Sequence, residues 1–353
     1  MKTSKSTASG GLHSIRGTSP SVSVVIPSYN HRAYIGEAIE SVRAQDHQPI
    51  QLVVIDDGSS DGSPDYLRER FSTAIDRLIA RENQGAHATL NEAIDLSSGE
   101  WVAILNSDDI YDPSRISRLL EFAAQERCDF VFSNIHLRGE TKRLPEDHRI
   151  VRAHERVVAA AKADRSIENA LLCMQFAVTT SNFLMTRAAF ERVGPFRPFR
   201  YCHDWDFLLR AIGKVRIGFL DEKLLDYRIH GRNTISEPGR WRHMTEPALI
   251  YADFLANPPE RFEAELFTPD FVLYAKKFAP MLVSWLTAEI RRVGSTAIME
   301  ELADGTLPRR METAFARSFP ACDPRFNMRQ LSRRSRKSMV RRLLERLLHR
   351  PRG

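Results

Sequence analysis

The feature that most constrains the fold is a repeated alternation of short β-branched runs with longer segments of helical spacing. The apolar runs at residues 23–27, 50–55 and 101–105 are rich in valine and isoleucine and stop at polar residues, which predicts buried strands. Segments 34–44 and 85–96 place apolar residues three and four positions apart, as in amphipathic helices. Because such alternation forms βαβ units, we predict an α/β fold with a mostly parallel sheet flanked by helices.

The same alternation continues along the chain with less regularity. Residues 64–71, 114–124, 187–193 and 204–212 have helical spacing, and 77–80, 130–134 and 181–186 are typical of strands. The polar segment 137–169 predicts a loop and one helix, and the pattern after Pro238 is mostly helical. We therefore expect a disordered arm at 1–20, an α/β domain at 21–237, a helical extension at 238–320 and a separate tail at 321–353.

Composition narrows the class of protein without identifying it. The chain has 353 residues, of which 42% are hydrophobic and 27% charged, as in globular proteins that form a sizeable core. Its four cysteines are far apart and form no CxxC pair, which argues against a zinc cluster or a disulfide framework and favours a reducing, cytoplasmic compartment. No apolar run reaches the roughly 18 residues that a membrane-spanning helix needs, and residues 1–20 lack the apolar stretch of a signal peptide.

The tail carries most of the positive charge. Residues 325–353 contain eleven Lys and Arg against Glu345 alone, whereas the whole chain has a net charge of +6, so the rest of the chain is net negative. Met339, Val340, Leu343, Leu344, Leu347 and Leu348 form an apolar stripe at helical spacing. This stripe favours peripheral binding to an anionic membrane surface, or else packing on the folded domain. Nucleic acid is not expected, because the arginines lack interleaved aromatic residues.

Polar clusters follow three of the predicted strands. They are Ser28-Tyr29-Asn30, Asp56-Asp57-Gly58 and Asn106-Ser107-Asp108-Asp109. In an open α/β sheet, ligands bind beyond the carboxyl ends of the strands, so these clusters are expected to share one edge. Carboxylates gathered there suit a hard Mg²⁺ or Mn²⁺ ion shared with phosphates, and another carboxylate can accept hydrogen bonds from a ribose or a base. Asp61-Gly62, in contrast, is read as a turn.

An ordered series of motifs resembles glycosyltransferase family 2 between about Val22 and Ser236. The series comprises Val-Val-Ile-Pro-Ser-Tyr-Asn at 24–30, Val-Ile-Asp-Asp-Gly-Ser at 54–59 with Asp61-Gly62, Asn-Gln-Gly at 83–85, Gly-Glu-Trp at 99–101, Ser-Asp-Asp at 107–109, His-Asp-Trp-Asp at 203–206 and Tyr-Arg-Ile-His at 227–230. The order of these motifs is specific for the family and does not specify the sugar.

The resemblance implies a GT-A fold, a nucleotide-diphosphate sugar donor, a divalent metal (Mn²⁺ or Mg²⁺) and inversion at the anomeric carbon. Asp57 would contact the nucleotide base, and Asp204 would be the general base that takes the acceptor proton. The remaining implied positions are Pro27, Ser28 and Asn30 in the nucleotide pocket, and Asp108 and Asp109 at the metal and diphosphate.

Two residues depart from the usual pattern of this family, which often has Asp at the position of Asn106 and Glu at that of His203. Asn106 can still coordinate through its amide oxygen with one charge less. His203 either contacts the acceptor or is a neutral surface residue, and the alternatives are equally weighted. Asp206 is a rival base that is expected to point elsewhere, because two residues apart on a helix do not share a face. His230 is a further candidate for the diphosphate or the metal.

The sequence therefore favours an inverting glycosyltransferase of polysaccharide biosynthesis that uses a UDP- or dTDP-sugar and a glycan or lipid-linked acceptor. The alternative is a catalytically weakened sugar-nucleotide-binding or scaffold protein, suggested by Asn106 and His203. A nucleotidyltransferase is disfavoured because Pro27-Ser28-Tyr29-Asn30 is no glycine-rich phosphate loop. The cysteine usage favours a cytoplasmic location, and the apolar stripe of the basic tail favours a position peripheral to the membrane.

Overall fold

The computed structural model of the chain describes residues 20–164, 166–231, 233, 240–259, 280–307 and 309–311. Almost all of the predicted arm at 1–20 and the whole of the predicted tail at 321–353 lie outside the described residues. Within them, no helix is long and apolar enough to cross a membrane.

The described residues form one eight-stranded mixed sheet with the order β3-β2-β1-β4-β7-β6-β8-β5. Strands β1 to β4 run parallel to one another, and β6 runs parallel to β8. Strand β7 is antiparallel to both of its neighbours, β4 and β6, and β5 is antiparallel to β8. The predicted α/β class with a mostly parallel sheet is confirmed. The strands are β1 Val22–Ser28, β2 Ile50–Asp56, β3 Arg77–Ala80, β4 Trp101–Ile104, β5 Ile110–Tyr111, β6 Phe130–Arg138, β7 Leu184–Thr186 and β8 Ile217–Arg228.

Helices cover both faces of the sheet because its central strands are apolar on both sides. Val24 and Ile26 of β1 belong to one core cluster, and Val25 between them belongs to the other, as the two-residue period of a strand requires. The helices are α1 Ile35–Arg43, α2 Ser63–Phe71, α3 Ala86–Asp95, α4 Arg115–Glu126, α5 Arg149–Lys162, α6 Ile167–Cys173, α7 Arg187–Val193, α8 His203–Ala211, α9 Arg240–Ala256, α10 Pro280–Val293 and α11 Ser295–Ala303.

The structure corrects the sequence interpretation in three places. The polar segment 137–169 contains helix α5 and the start of α6, where a loop with a single helix was expected. The expected strand at 181–186 is mostly a 3-10 turn, Thr180–Asn182, followed by the three-residue strand β7. Strand β8 was missed because Asp221, Glu222 and Lys223 interrupt its apolar pattern where the strand is partly exposed.

The C-terminal helices are packed on the α/β domain. Apolar residues of α9, α10 and α11 share one core cluster with Trp205 and Leu209 of α8. In addition, Asp253 of α9 forms an ion pair of 2.7 Å with Arg197, and Glu246 of α9 accepts hydrogen bonds from the backbone N–H groups of residues 200–202. The predicted helical extension therefore holds the segment that leads into α8.

Candidate active site

A cavity of about 400 Å³ opens where the carboxyl ends of β1, β2 and β4 meet the first turn of α8. This volume lies in the range of small-molecule sites. The three polar clusters share this edge, as parallel strand geometry predicted. Eight of the predicted residues line the cavity: Pro27, Ser28, Asn30, Asp57, Asn106, Asp108, His203 and Asp204. The other two, Asp109 and His230, are buried and do not line it.

Asp57 lies directly after β2 and is held by three donors. One carboxylate oxygen accepts from Gln84 N at 2.9 Å and is paired with the Arg81 guanidinium, and the other accepts from Gly85 N at 2.9 Å. The close turn depends on Gly58, whose φ is +81° and whose missing Cβ would lie 2.8 Å from the backbone nitrogen of Asn83. Asp57 is thus a fixed and compensated negative charge at one end of the cavity.

The segment after β1 forms a second wall of the cavity. Asn30 has a φ of 54°, a conformation that Asn tolerates better than most residues, and its Oδ1 accepts from Ser60 N at 2.8 Å. Ser28 is buried and its Oγ donates to Asp56. Between them the side chain of Tyr29 is 46% exposed at the cavity. An aromatic ring presented in this way can stack on a planar base.

Asp108, His230 and His31 offer one ligand atom each within 4.8 Å of one another. Nε2 of the buried His230 lies 3.0 Å from Oδ2 of Asp108, and Nδ1 of His31 lies 2.8 Å from Oγ of Ser107. Two imidazoles and a carboxylate are suitable ligands for a divalent transition metal ion. Of the residues that sequence reasoning named, the structure brings Asp108 and His230 together, whereas His31 was missed.

Asp109 occupies a different environment from its neighbour Asp108. Its carboxylate is fully buried and accepts hydrogen bonds from Ser181 Oγ at 2.5 Å and from Arg228 N at 2.9 Å. Burial, together with the adjacent charge of Asp108, raises the pKa of Asp109 well above its ordinary value. In this arrangement Asp109 connects the turn after β4 to β8 and to the 3-10 turn, and its role as a metal ligand stays a prediction.

The amide of Asn106 has a defined use in this structure. Its Nδ2 donates to Thr179 Oγ1 at 2.9 Å and its Oδ1 accepts from Thr180 Oγ1 at 3.0 Å. A side-chain amide both donates and accepts hydrogen bonds, whereas an ionised carboxylate only accepts. The departure from Asp at this position therefore fixes segment 179–180 against the cavity, and coordination of a metal by Asn106 stays a prediction.

Asp204 lies in the first turn of α8 and lines the cavity. It is 7% exposed, and it accepts hydrogen bonds from the backbone N–H of Trp205 at 2.7 Å and from the side chain of Gln175. Burial raises the pKa of Asp204 to about 7, and these two hydrogen bonds oppose the shift. No cation among the described residues forms an ion pair with it, so the group can exchange a proton near neutral pH.

The two neighbours of Asp204 have contrasting surroundings. Burial lowers the pKa of His203 to about 4, so its imidazole is neutral at physiological pH. Its Nδ1 is buried without a hydrogen-bond partner among the described side chains and backbone. Asp206 is fully buried in ion pairs with Arg197 and Arg210, away from the cavity, as the helical spacing predicted.

Sequence reasoning missed the wall formed by residues 175–180. Gln175, Val178, Thr179 and Thr180 line the cavity, and Val178 has a φ of 70°, which is rare for a β-branched residue. Nothing in this stretch has a periodic or motif signal, so only the structure identifies it. His31, in contrast, directly follows Asn30, which was predicted to line the nucleotide pocket, so its position in the chain was a signal for a site residue.

Comparisons with known proteins show which family and which fold the chain resembles. Residues 23–194 match the family model described as Glycosyl transferase family 2. The chain is 30% identical over 226 residues to an uncharacterized glycosyltransferase of Nostoc sp., covering 60% of this chain and 66% of that one. It is 36% identical over 123 residues to TuaG of Bacillus subtilis, named as a teichuronic acid biosynthesis glycosyltransferase, covering 34% of this chain and 49% of that one. The chain thus spans about half to two thirds of these relatives.

Two solved structures share the fold. S. aureus TarS in complex with UDP-GlcNAc has a TM-score of 0.54 at 15% identity, with 84% of this chain and 92% of that one covered. The mannosyltransferase PcManGT of Pyrobaculum calidifontis, in complex with GDP-Man and Mn²⁺, has a TM-score of 0.53 at 18% identity, with 92% and 85% covered. Residues 23–194 therefore belong to glycosyl transferase family 2, a family of enzymes, and the described residues have the GT-A type of fold.

Proposed function

We propose that this chain transfers a sugar from a nucleotide-diphosphate sugar to a hydroxyl group of a glycan or lipid-linked acceptor, with inversion of the anomeric configuration. The observation that carries the proposal is a single cavity with three functional zones. It is lined by Asp57 at one end, by Asp108 at the carboxyl end of β4, and by Asp204 at the start of α8.

The nucleotide zone lies at the ends of β1 and β2. Pro27, Ser28 and Asn30 line it, and Tyr29 presents its exposed ring to a base. Asp57 has two oxygens and about four lone-pair sites, of which three are in use, so one can accept a hydrogen bond from the N–H of a uracil or thymine. This chemistry supports a UDP- or dTDP-sugar as donor.

The metal zone supports a divalent ion next to the donor diphosphate. Asp108 and His230 would hold the ion, and the ion would neutralise negative charge on the leaving diphosphate. Nε2 of the buried His230 lies 3.0 Å from Oδ2 of Asp108, so both groups are close enough to contact one ion. The PcManGT complex contains Mn²⁺, and we extend the requirement for Mn²⁺ or Mg²⁺ to this chain as part of the proposal.

The acceptor zone contains the proposed general base. Inversion in one step requires a carboxylate that takes the proton of the attacking hydroxyl on the side opposite the leaving group. Asp204 fits because its carboxylate reaches the cavity and because its pKa of about 7 lies near the operating pH. The neutral imidazole of His203 beside it can form a hydrogen bond with the acceptor.

The acceptor class is inferred from the surroundings of the enzyme and its relatives. TuaG is named for teichuronic acid biosynthesis, which favours a role in polysaccharide biosynthesis. We also propose a cytoplasmic location peripheral to the membrane, with the basic tail at 321–353 as the membrane contact. The non-catalytic alternative is not favoured, because the relatives are described as glycosyltransferases and because the amide of Asn106 has a structural use.

Nucleotide release from a panel of UDP-, dTDP- and GDP-sugars, measured with Mn²⁺ or Mg²⁺ and with EDTA, tests this proposal. We expect metal-dependent release from one uridine or thymidine donor, and an inverted anomeric configuration in the product by NMR. A retained configuration would overturn the inverting mechanism. Failure of every donor to bind would overturn the proposed function itself.

A further inference from the structure

We propose that His31 is a third ligand of the metal site formed with Asp108 and His230, and that it makes the site select Mn²⁺ over Mg²⁺. The inference rests on the proposed function, because it specifies the ion of that same site. It adds a residue from the loop between β1 and α1, which carries the nucleotide zone.

The position of His31 supports this role. One ring nitrogen of His31 lies within 4.8 Å of the ligand atoms of both Asp108 and His230, so a single ion can contact all three. The ring centroids of His31 and His230 are 5.6 Å apart with an angle of 87° between the ring planes, so the two rings meet edge to face beside the carboxylate.

The backbone and the ring of His31 are both held in place. Its carbonyl oxygen accepts from Tyr34 N and Ile35 N at 2.9 Å, which fixes the loop at the entrance of α1. Nδ1 contacts Oγ of Ser107 at 2.8 Å, and binding of an ion through Nε2 would leave this contact intact. A metal-ligating histidine typically has such a partner at its second nitrogen, and here the partner is the residue before Asp108.

The chemistry of the ligands determines which ion is preferred. Mg²⁺ is hard, prefers oxygen ligands and retains several waters, so replacing oxygen by nitrogen weakens its binding. Transition metal ions accept imidazole more readily, so two imidazoles and one carboxylate favour Mn²⁺ over Mg²⁺. Without His31 the site would have one nitrogen and one carboxylate ligand, and this preference would be weaker.

The test measures Mn²⁺ binding to the full chain. Binding is monitored as the loss of the EPR signal of free Mn²⁺, with and without UDP, and with Mg²⁺ as a competitor. The variants are His31→Ala, which removes the ligand, and His31→Asp, which replaces nitrogen with oxygen. His148→Asn is the matched control, because His148 caps helix α5 away from the cavity and Asn preserves a cap.

We expect His31→Ala to weaken Mn²⁺ binding at least about tenfold, the lower end of the effects seen for groups that support a metal. His31→Asp should retain Mn²⁺ binding and make Mg²⁺ a better competitor, and His148→Asn should match the wild type. Equal Mn²⁺ affinity and equal Mg²⁺ competition in wild type and His31→Ala, with and without UDP, would overturn the inference. That result would reject the role of His31 but not the proposed sugar transfer. Mn²⁺ binding without any nucleotide binding would instead reject the proposed function.

Discussion

Two buried carboxylates that line the cavity, Asp57 and Asp204, have contrasting surroundings. At the nucleotide end, Asp57 is surrounded by the Arg81 guanidinium and two backbone N–H groups. At the acceptor end, Asp204 has two hydrogen bonds and no ion pair with a described cation, and burial raises its pKa to about 7. A compensated carboxylate keeps its charge and can recognise a ligand, whereas an uncompensated one can gain and lose a proton.

A second contrast lies within helix α8. Asp204 and Asp206 are two residues apart and both are buried, yet only Asp204 lines the cavity, whereas Asp206 is paired with Arg197 and Arg210. Arg197 also pairs with Asp253 of α9, so Asp206 joins α8 to the C-terminal helices. One turn of helix thus presents a proton-exchanging carboxylate to the cavity and a structural carboxylate to the core.

The largest expected effect concerns Asp206. Asp206→Asn leaves the buried Arg210 guanidinium without its carboxylate and leaves Arg197 paired with Asp253 alone. The loss of one partner from a buried pair costs about 3–5 kcal/mol. We expect the free energy of unfolding to fall by that amount in urea denaturation. A fall of less than about 1 kcal/mol would show that Asp206 is not a structural ion-pair residue.

The next effect is the pH dependence of transfer. Because the pKa of Asp204 is about 7, kcat/KM at saturating Mn²⁺ should fall about tenfold per pH unit below pH 7 and be constant above it. The imidazole of His203, with a pKa of about 4, stays neutral over this range and does not contribute. UDP affinity measured at each pH provides the control for donor binding. A profile that is flat between pH 5.5 and 8 would contradict the role of Asp204.

A smaller effect is expected at the nucleotide end. Arg81→Met removes the cation beside Asp57 and the bonds to Glu92 and Thr89, so the pocket loses its fixed geometry. We expect UDP to bind about tenfold more weakly, which corresponds to about 1.4 kcal/mol. Arg68→Met serves as a matched control, because Arg68 forms only an exposed pair with Asp65. UDP affinity is measured by calorimetry. If Arg81→Met binds UDP as tightly as the wild type, the contacts of Arg81 are not needed for donor recognition.

The convergence of the three polar clusters could be predicted because their geometry is local. Parallel strands place their carboxyl ends at one edge, so the residues after β1, β2 and β4 meet without any further information. The position of Asp206 also followed from the helical period alone. In these cases a short stretch of sequence determines the direction of the side chain.

The acceptor half depends on contacts between distant segments. Gln175 reaches Asp204 across 29 positions and Glu246 reaches Cys202 across 44, and neither residue belongs to a recognisable motif. Strand β8 could not be predicted because charged residues at its centre interrupt the apolar pattern. The metal ligand proposed at His31 depends on contacts with Ser107 and His230, which are distant in sequence. Such pairings arise from tertiary packing, which the pattern of one chain does not encode locally.

The role of Asp204 as general base is tested most directly with the Asp204→Asn variant. Sugar transfer, UDP affinity and the free energy of unfolding are measured for this variant at pH 8. We expect kcat to fall about 10²–10⁴-fold, because an amide cannot take the acceptor proton. We also expect UDP affinity within about twofold of the wild type and a stability at least as high, because the variant removes a buried charge that has no described ion-pair partner. A variant that binds UDP, folds normally and transfers sugar at close to the wild-type rate would contradict the account.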